Sequence, residues 1–268
     1  MDRYYIETPV APRLCYRKSG TGPPIVLLHG FPEDGSLWEP IGAELSRKYT
    51  VIIPDIPGSG ESELAGNPSI EDLAEPVSEM LRAENLGPVM LVGHSMGGYI
   101  ALAFAEKFPS MLAGLSLVHS TAAADTEEKK ETRRKSIELI RKWGKKPFIE
   151  QMIPALFAKD FRNEHPAIIE RQIDRGMKLK EESMIAFYTA MINRPDRTGN
   201  LVKSAIPLQW IIGKEDSVVP VTAALKRCSL SDISFVSLYE GCGHMSMIEQ
   251  PGRLLKDLEE FGGFCLKN

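Results

Sequence analysis

The sequence has 268 residues, of which 43% are hydrophobic, 25% charged and 7% aromatic. Its 32 Lys and Arg against 36 Asp and Glu leave a formal net charge of −4. A chain of this length buries about three-quarters of its unfolded surface and needs no disulfides to build a core. The balance excludes a generally basic nucleic-acid binder, a disordered chain and a collagen-like repeat. At about 150 residues per domain the length allows one or two units. Met1-Asp2-Arg3-Tyr4-Tyr5-Ile6-Glu7 lacks the apolar core of a secretory signal, and no apolar run approaches the roughly 18 to 20 residues of a membrane span. Cys15, Cys228, Cys242 and Cys265 are scattered, with no CxxC pair. The expectation is a cytoplasmic protein with reduced thiols, no membrane or nucleic-acid partner, and a monomeric or homodimeric state.

In chain order, the polar-apolar stretch before residue 20 predicts one or two antiparallel edge strands. Short, almost continuously apolar runs then follow at 25–28, 51–53, 89–92, 115–118, 208–212 and 235–238. Such runs suit parallel strands covered on both faces. Amphipathic stretches at about 37–48, 70–85, 96–108, 220–228 and 247–263 separate them. Alternating strand and helix predicts an α/β fold with a doubly wound, mostly parallel sheet.

The alternation breaks between 121 and 200, where apolar residues recur at helical spacing: Ile137, Ile140 and Trp143, then Phe148, Met152, Ile153, Leu156 and Phe157. Ile168, Ile169 and Ile173 make a third face and Met184, Ile185, Phe187, Tyr188, Met191 and Ile192 a fourth. Pro147, Pro154, Pro166 and Pro195 are expected to punctuate these helices. The predicted organisation is a core of 1–120 and 201–268 with a helical cap, 121–200, inserted between two strands. The cap opens on a charge-dense segment, 125–146, with nine Lys and Arg against five Asp and Glu. A patch for nucleic acid or an anionic ligand is the alternative, but without interleaved aromatics the segment reads as the solvated outer face of a helix.

The sharpest local signal is Gly93-His94-Ser95-Met96-Gly97-Gly98, a G-x-S-x-G pattern entered by a strand and left by the helical run 99–105. So abrupt a turn holds its middle residue in a strained conformation, and the glycines make room for neighbouring backbone. It places Ser95 above the carboxyl ends of the strands, with the positive end of a helix behind it.

With this motif the sequence resembles the α/β-hydrolase superfamily, and within it the cap-bearing serine hydrolases with an HGFP loop. The resemblance spans about residues 12 to 263 and rests on four landmarks in order: His29-Gly30-Phe31-Pro32, Asp55-Ile56-Pro57-Gly58-Ser59-Gly60-Glu61-Ser62, the Ser95 elbow, and a late acid and histidine. The resemblance implies an α/β-hydrolase fold and, for the 55–62 loop, a supporting role. That loop lacks the Lys-Ser/Thr of a phosphate-binding loop, and no cluster has metal-ligand spacing, so neither cofactor nor metal is expected.

A serine hydroxyl needs a general base to act as a nucleophile. His29 and His94 lie inside turn motifs, where the resemblance gives them a loop-shaping role. His119 follows a strand, where it could border the site but reads first as local structure, and His165 lies beside Pro166 in the cap. His244, in Glu240-Gly241-Cys242-Gly243-His244-Met245, remains, between the last strand and the last helix, with glycines at 241 and 243 giving its loop freedom. The imidazole needs a carboxylate to fix its tautomer. Asp216 lies in the loop after the penultimate strand, with Glu215 as the neighbouring alternative; the resemblance favours Asp216, and the order Ser95, Asp216, His244 is the one expected of the fold. Some relatives carry the acid after the strand near Val118, where this chain has none before Asp125. The oxyanion donors are expected at the backbone N–H of Met96 and, by resemblance, of Phe31.

A serine at the elbow excludes the alkyl-enzyme chemistry of haloalkane dehalogenases and epoxide hydrolases. The expected reaction is hydrolysis of a small, largely hydrophobic carboxylic ester or lactone through an acyl-enzyme. An aminopeptidase, a perhydrolase, a carbon–carbon bond hydrolase (relatives of which often carry tryptophan where this chain has Met245) and a ligand receptor with an intact triad are the alternatives. Trp143, Phe148, Met152, Phe157, Tyr188, Met191 and Met245 are the candidate pocket residues.

Overall fold

A computed structural model describes residues 1–202 and 204–266. Two strands open the chain, β1 (Asp2–Ile6) and β2 (Leu14–Ser19), followed by β3 (Pro24–Leu28), helix α1 (Glu39–Leu45) and β4 (Thr50–Pro54). Next come α2 (Ile70–Ala83), β5 (Val89–His94), α3 (Met96–Lys107) and β6 (Leu112–Val118). Six helices then run without an intervening strand: α4 (Glu127–Trp143), α5 (Lys145–Ala155), α6 (Lys159–Glu164), α7 (Pro166–Gly176), α8 (Glu181–Asn193) and α9 (Thr198–Leu201). The chain returns to the sheet with β7 (Leu208–Gly213), α10 (Val221–Cys228), β8 (Ser234–Tyr239), the short α11 (Ser246–Glu249) and α12 (Pro251–Cys265).

Among the described residues the eight strands form one sheet in the order β1-β2-β4-β3-β5-β6-β7-β8. β1 pairs β2 and β2 pairs β4 antiparallel, and every later pairing is parallel. The order reverses beside β3, so helices cover both faces and strands β4, β5 and β7 are buried along their whole length. α3 is buried through Met96–Phe104, as its apolar sequence requires. α2 starts at a capping box: Ser69 Oγ accepts from the Asp72 N–H at 3.1 Å, and the Asp72 carboxylate accepts from the Ser69 N–H at 2.9 Å.

The inserted helices obey the same local rules, with two departures from expectation. α4 is capped by Thr126, whose hydroxyl accepts from the Lys129 N–H at 3.3 Å, and stops where Gly144 takes φ 77°. Pro166 opens α7 and Pro195 follows α8, both as punctuation. Pro147 and Pro154 instead lie within α5, Pro147 in its first turn, where an N–H has no helical acceptor to lose, and Pro154 beside its end.

All four cysteines are free, and burial pushes the thiols of Cys15 and Cys228 up to about 11 and that of Cys265 to about 12. Among the described residues no helix is long and apolar enough to cross a membrane.

Candidate active site

The site lies where the parallel strands end. Ser95, between β5 and α3, has φ 50° and ψ −115°, a conformation an L-residue adopts only when its surroundings enforce it. Its N–H donates to the Val118 carbonyl at 3.0 Å, and its own carbonyl accepts from the Ser120 hydroxyl at 2.8 Å. The glycines are steric necessities: a Cβ on Gly93 would sit 2.5 Å from the Gly97 carbonyl oxygen, and one on Gly97 2.5 Å from that of His29. Met96 opens α3, so its N–H has no intrahelical acceptor, and Phe31 walls the same cavity as Ser95.

His244 Nδ1 and Asp216 Oδ2 are 2.7 Å apart, and both residues are buried. The other carboxylate oxygen, Oδ1, accepts from the Val218 and Val219 N–H groups at 2.8 and 2.9 Å. Burial alone would push the Asp216 carboxyl up, but His244 and His119 outweigh it and hold the group well below the usual carboxylate range. Glu215 points away: its carboxylate lies 3.4 Å from the Lys159 N–H, at the start of α6.

The loop carrying His244 is clamped rather than free. A Cβ on Gly243 would lie 2.6 Å from both the Leu156 carbonyl oxygen and the Ala158 nitrogen, so that glycine serves a close approach between loop and inserted helices. The His244 N–H donates to the Leu156 carbonyl at 2.6 Å. Glu249, which the sequence reading passed over, accepts from the N–H groups of Gly243 and Met245 at 3.0 Å and of Ala158 at 2.9 Å. Its only sequence signal is a carboxylate five residues after the histidine.

The remaining histidines frame the site. His94 Nε2 donates to the His244 carbonyl at 3.0 Å, and burial pushes its pKa well down. His29 Nδ1 donates to the Gly30 carbonyl at 2.8 Å while its Nε2 accepts from the Ile56 N–H at 3.0 Å, joining the loop after β3 to the 55–62 loop. Asp55 in that second loop accepts from the N–H groups of Gly35 and Glu61 and bonds Arg17. His119 is more than local structure: its Nδ1 lies 3.4 Å from Asp216 Oδ2, and burial lowers its pKa. His119, Asp216 and His244 bring three donor atoms within 4.8 Å of one another, yet His244 Nδ1 and Asp216 Oδ2 already hydrogen-bond each other, and a metal there would break that bond.

Ser95 and His244 face one cavity of about 170 Å³, smaller than the roughly 300–1,000 Å³ typical of drug-sized ligand sites. A larger cleft of about 750 Å³ lies between the 58–67 loop and residues 178–183, and neither Ser95 nor His244 lines it. Of the expected pocket residues, Met152, Tyr188 and Met191 line the cavity of Ser95 and His244, joined by Phe31, Leu156 and Val218. Phe148 stands one layer back, its ring 6.2 Å from that of Phe31 and 5.6 Å from Tyr188. Phe157 stacks on Phe161 at 5.7 Å, and Met245 is wholly buried outside the lining. Trp143, at the end of α4, is 67% exposed and does not line the cavity of Ser95 and His244. These four stand off the lining for one reason: helical periodicity marks an apolar face without saying whether a cavity, packed side chains or solvent lies beside it.

The lining is mostly apolar, and it qualifies one broader expectation: Lys129, Thr132, Arg133 and Ser136 of α4 add a polar wall, so this part of the basic segment is not solely an outer face. Asp125 is buried as well, with its carboxylate 2.6 Å from Arg133 Nε and 2.9 Å from Arg194 Nη2.

Residues 23–141 match the model of the alpha/beta hydrolase fold family. The chain is 32% identical to a thermophilic esterase from Thermogutta terrifontis, solved with malate bound, over 100% of both chains with a TM-score of 0.93. It is also similar to a monoacylglycerol lipase of Bos taurus, 27% identical over 93% of this chain and 79% of that protein. A pimeloyl-[acyl-carrier protein] methyl ester esterase of Pseudoalteromonas atlantica is 27% identical over 91% of this chain and 96% of its own.

Proposed function

The chain belongs to the α/β-hydrolase fold family and is a hydrolase, and we propose that it cleaves small carboxylic esters through an acyl-enzyme on Ser95. The observation that carries this reading is the 2.7 Å hydrogen bond between His244 and Asp216 at a cavity that Ser95 shares. In the proposed cycle the ionised Asp216 accepts from Nδ1–H, which leaves the His244 Nε2 lone pair to take the Ser95 proton. Ser95 Oγ attacks the ester carbonyl, and the N–H groups of Phe31 and Met96 receive the negative charge that develops on its oxygen. His244 returns the proton to the departing alcohol. Water, deprotonated in turn by His244, then releases the acid and restores Ser95. Residues 121–200 act as a cap on a core of 1–120 and 201–268, and the small volume limits the bound group to a short chain.

A fluorophosphonate probe and a short-chain p-nitrophenyl ester test the assignment. Wild-type protein labels and turns over the ester, whereas Ser95→Ala does neither, with turnover reduced by at least about 10⁴-fold. Undiminished hydrolysis by the variant removes Ser95 as the nucleophile.

A further inference from the structure

Lys129, Thr132, Arg133 and Ser136 are spaced three, one and three residues apart, which puts them on one face of α4 along about 10 Å of helix. That face lines the cavity shared by Ser95 and His244, together with the apolar side chains of Phe31, Met152 and Met191. Its charges do not balance. Asp125 is the carboxylate of the cluster, and both of its oxygens are taken: Oδ2 by Arg133 and Oδ1 by Arg194. Arg133 is fixed further by lying over the Tyr188 ring, 5.1 Å from its centroid. The Lys129 ammonium meets only a neutral group, the Val218 carbonyl at 3.1 Å, and among the described residues no carboxylate lies within 4.0 Å of it. Of the acidic neighbours on α4, Glu127 pairs with Lys130, and Glu128 is exposed on an outer cleft of about 560 Å³. Lys129, Thr132 and Val218 line both that cleft and the cavity of Ser95 and His244, so the ammonium stands on the partition between them.

Lys129 and Arg133 on the lining, with Arg194 behind them, outnumber the one carboxylate of Asp125 and leave positive charge on the wall of a confined, mostly apolar cavity, where an anion is attracted more strongly than in water. We propose that Lys129, backed by Arg133, binds an anionic group at the far end of the substrate, and that the preferred esters carry a carboxylate, as half-esters of short dicarboxylic acids do. The assignment rests on the ester-hydrolase reading above and deepens it. Carboxylate is the smallest common organic anion that suits so compact a cavity, and a lysine supplies a mobile point charge that reorients without disturbing the Arg133–Asp125 pair.

The test is the ratio of kcat/KM for monoethyl glutarate to that for ethyl pentanoate, which replaces the carboxylate by a methyl group. The wild-type ratio exceeds one and falls as salt is added. Lys129→Met lowers it about tenfold, the order of a single charge-assisted hydrogen bond, and Lys129→Glu lowers it further. A purely structural effect of either substitution changes both substrates together and leaves the ratio fixed, which overturns the proposal, as does a wild-type ratio below one. Glutarate competes with ethyl pentanoate, and Lys129→Met weakens that competition; inorganic phosphate inhibiting as strongly as glutarate overturns the carboxylate assignment. Full activity of Ser95→Ala on ethyl pentanoate defeats the ester-hydrolase reading instead, an outcome separable from any change in the ratio.

Discussion

Two regions meet at the cavity, and they are built on different principles. The strand-end loops hold Ser95, Asp216 and His244 through backbone: glycines with no room for a Cβ, a residue at φ 50°, and N–H groups aimed at the Asp216 carboxylate. The inserted helices wall the cavity through side-chain pairing, with Asp125 between Arg133 and Arg194 and Phe31 against Tyr188 at 4.7 Å. Backbone devices are rigid and local, suited to chemistry that tolerates little displacement. Side-chain pairing can be re-specified one residue at a time, which suits a wall that selects substrates.

The contrast predicts that changes in the loops strike turnover, whereas changes in the inserted helices strike stability or selectivity. The largest expected effect is that of Asp216→Asn, which presents His244 with an amide in place of a charge. Turnover falls by about 10⁴-fold while the melting temperature stays within a few degrees, as steady-state kinetics and calorimetry on the same sample will report. Near-wild-type activity breaks the comparison and returns Glu215 to consideration.

Asp125→Ala is the counterpart in the inserted helices. It strands the buried Arg194 and the largely buried Arg133 without their carboxylate, at a cost of about 3–5 kcal/mol in denaturant unfolding. A loss below about 1 kcal/mol would mean that the pairing does not organise this wall.

Glu33 sharpens the boundary between the two regions, since it follows the Phe31 loop and feels the charge of Arg175 in α7. Neither carboxylate oxygen has a hydrogen-bond partner among the described residues, and burial pushes the group up to about 7. Between an unfolded value near 4.5 and about 7 the folded state holds a proton that the unfolded state releases, so stability falls as pH rises through that window. The full loss is on the order of 3 kcal/mol above pH 7. Glu33→Gln removes the titration: its melting temperature exceeds that of wild type at pH 8, and the advantage vanishes by pH 4. An advantage independent of pH contradicts the assignment.

The smallest effect belongs to Trp143→Ala. At 67% exposure the indole contributes little packing, and the substitution changes stability by less than about 0.5 kcal/mol and leaves kcat/KM for a short ester unchanged. A tenfold change in kcat/KM would place this residue at the cavity after all.

The strand-end loops were legible in the sequence because their geometry demands particular residue types at fixed offsets. Only glycine permits the approaches at Gly93 and Gly97, and a histidine and an acid must follow their strands to reach the same serine. The inserted helices were legible only as helices. Their 3.6-residue period marks Phe148, Phe157 and Trp143 as members of apolar faces, but the partner of each face, whether Phe31, Phe161 or solvent, is set by a neighbour far along the chain. The polar stripe of Lys129 to Ser136 reads as a solvated face for the same reason. Glu249 shows the same limit inside the core, since nothing local says that a carboxylate in α11 gathers the N–H groups of Gly243, Met245 and Ala158.

Length, composition and charge allow one or two units and specify no function. From sequence came the fold, the order of its landmarks and the residues whose chemistry is written into turns, because backbone sterics and strand periodicity act over a few residues. Tertiary structure alone decided which side of α4 faces the cavity, that His119 approaches Asp216, and that a chain of net charge −4 places a surplus of cations beside its candidate nucleophile. Those outcomes depend on burial and charge pairing between distant segments, and no local pattern carries them.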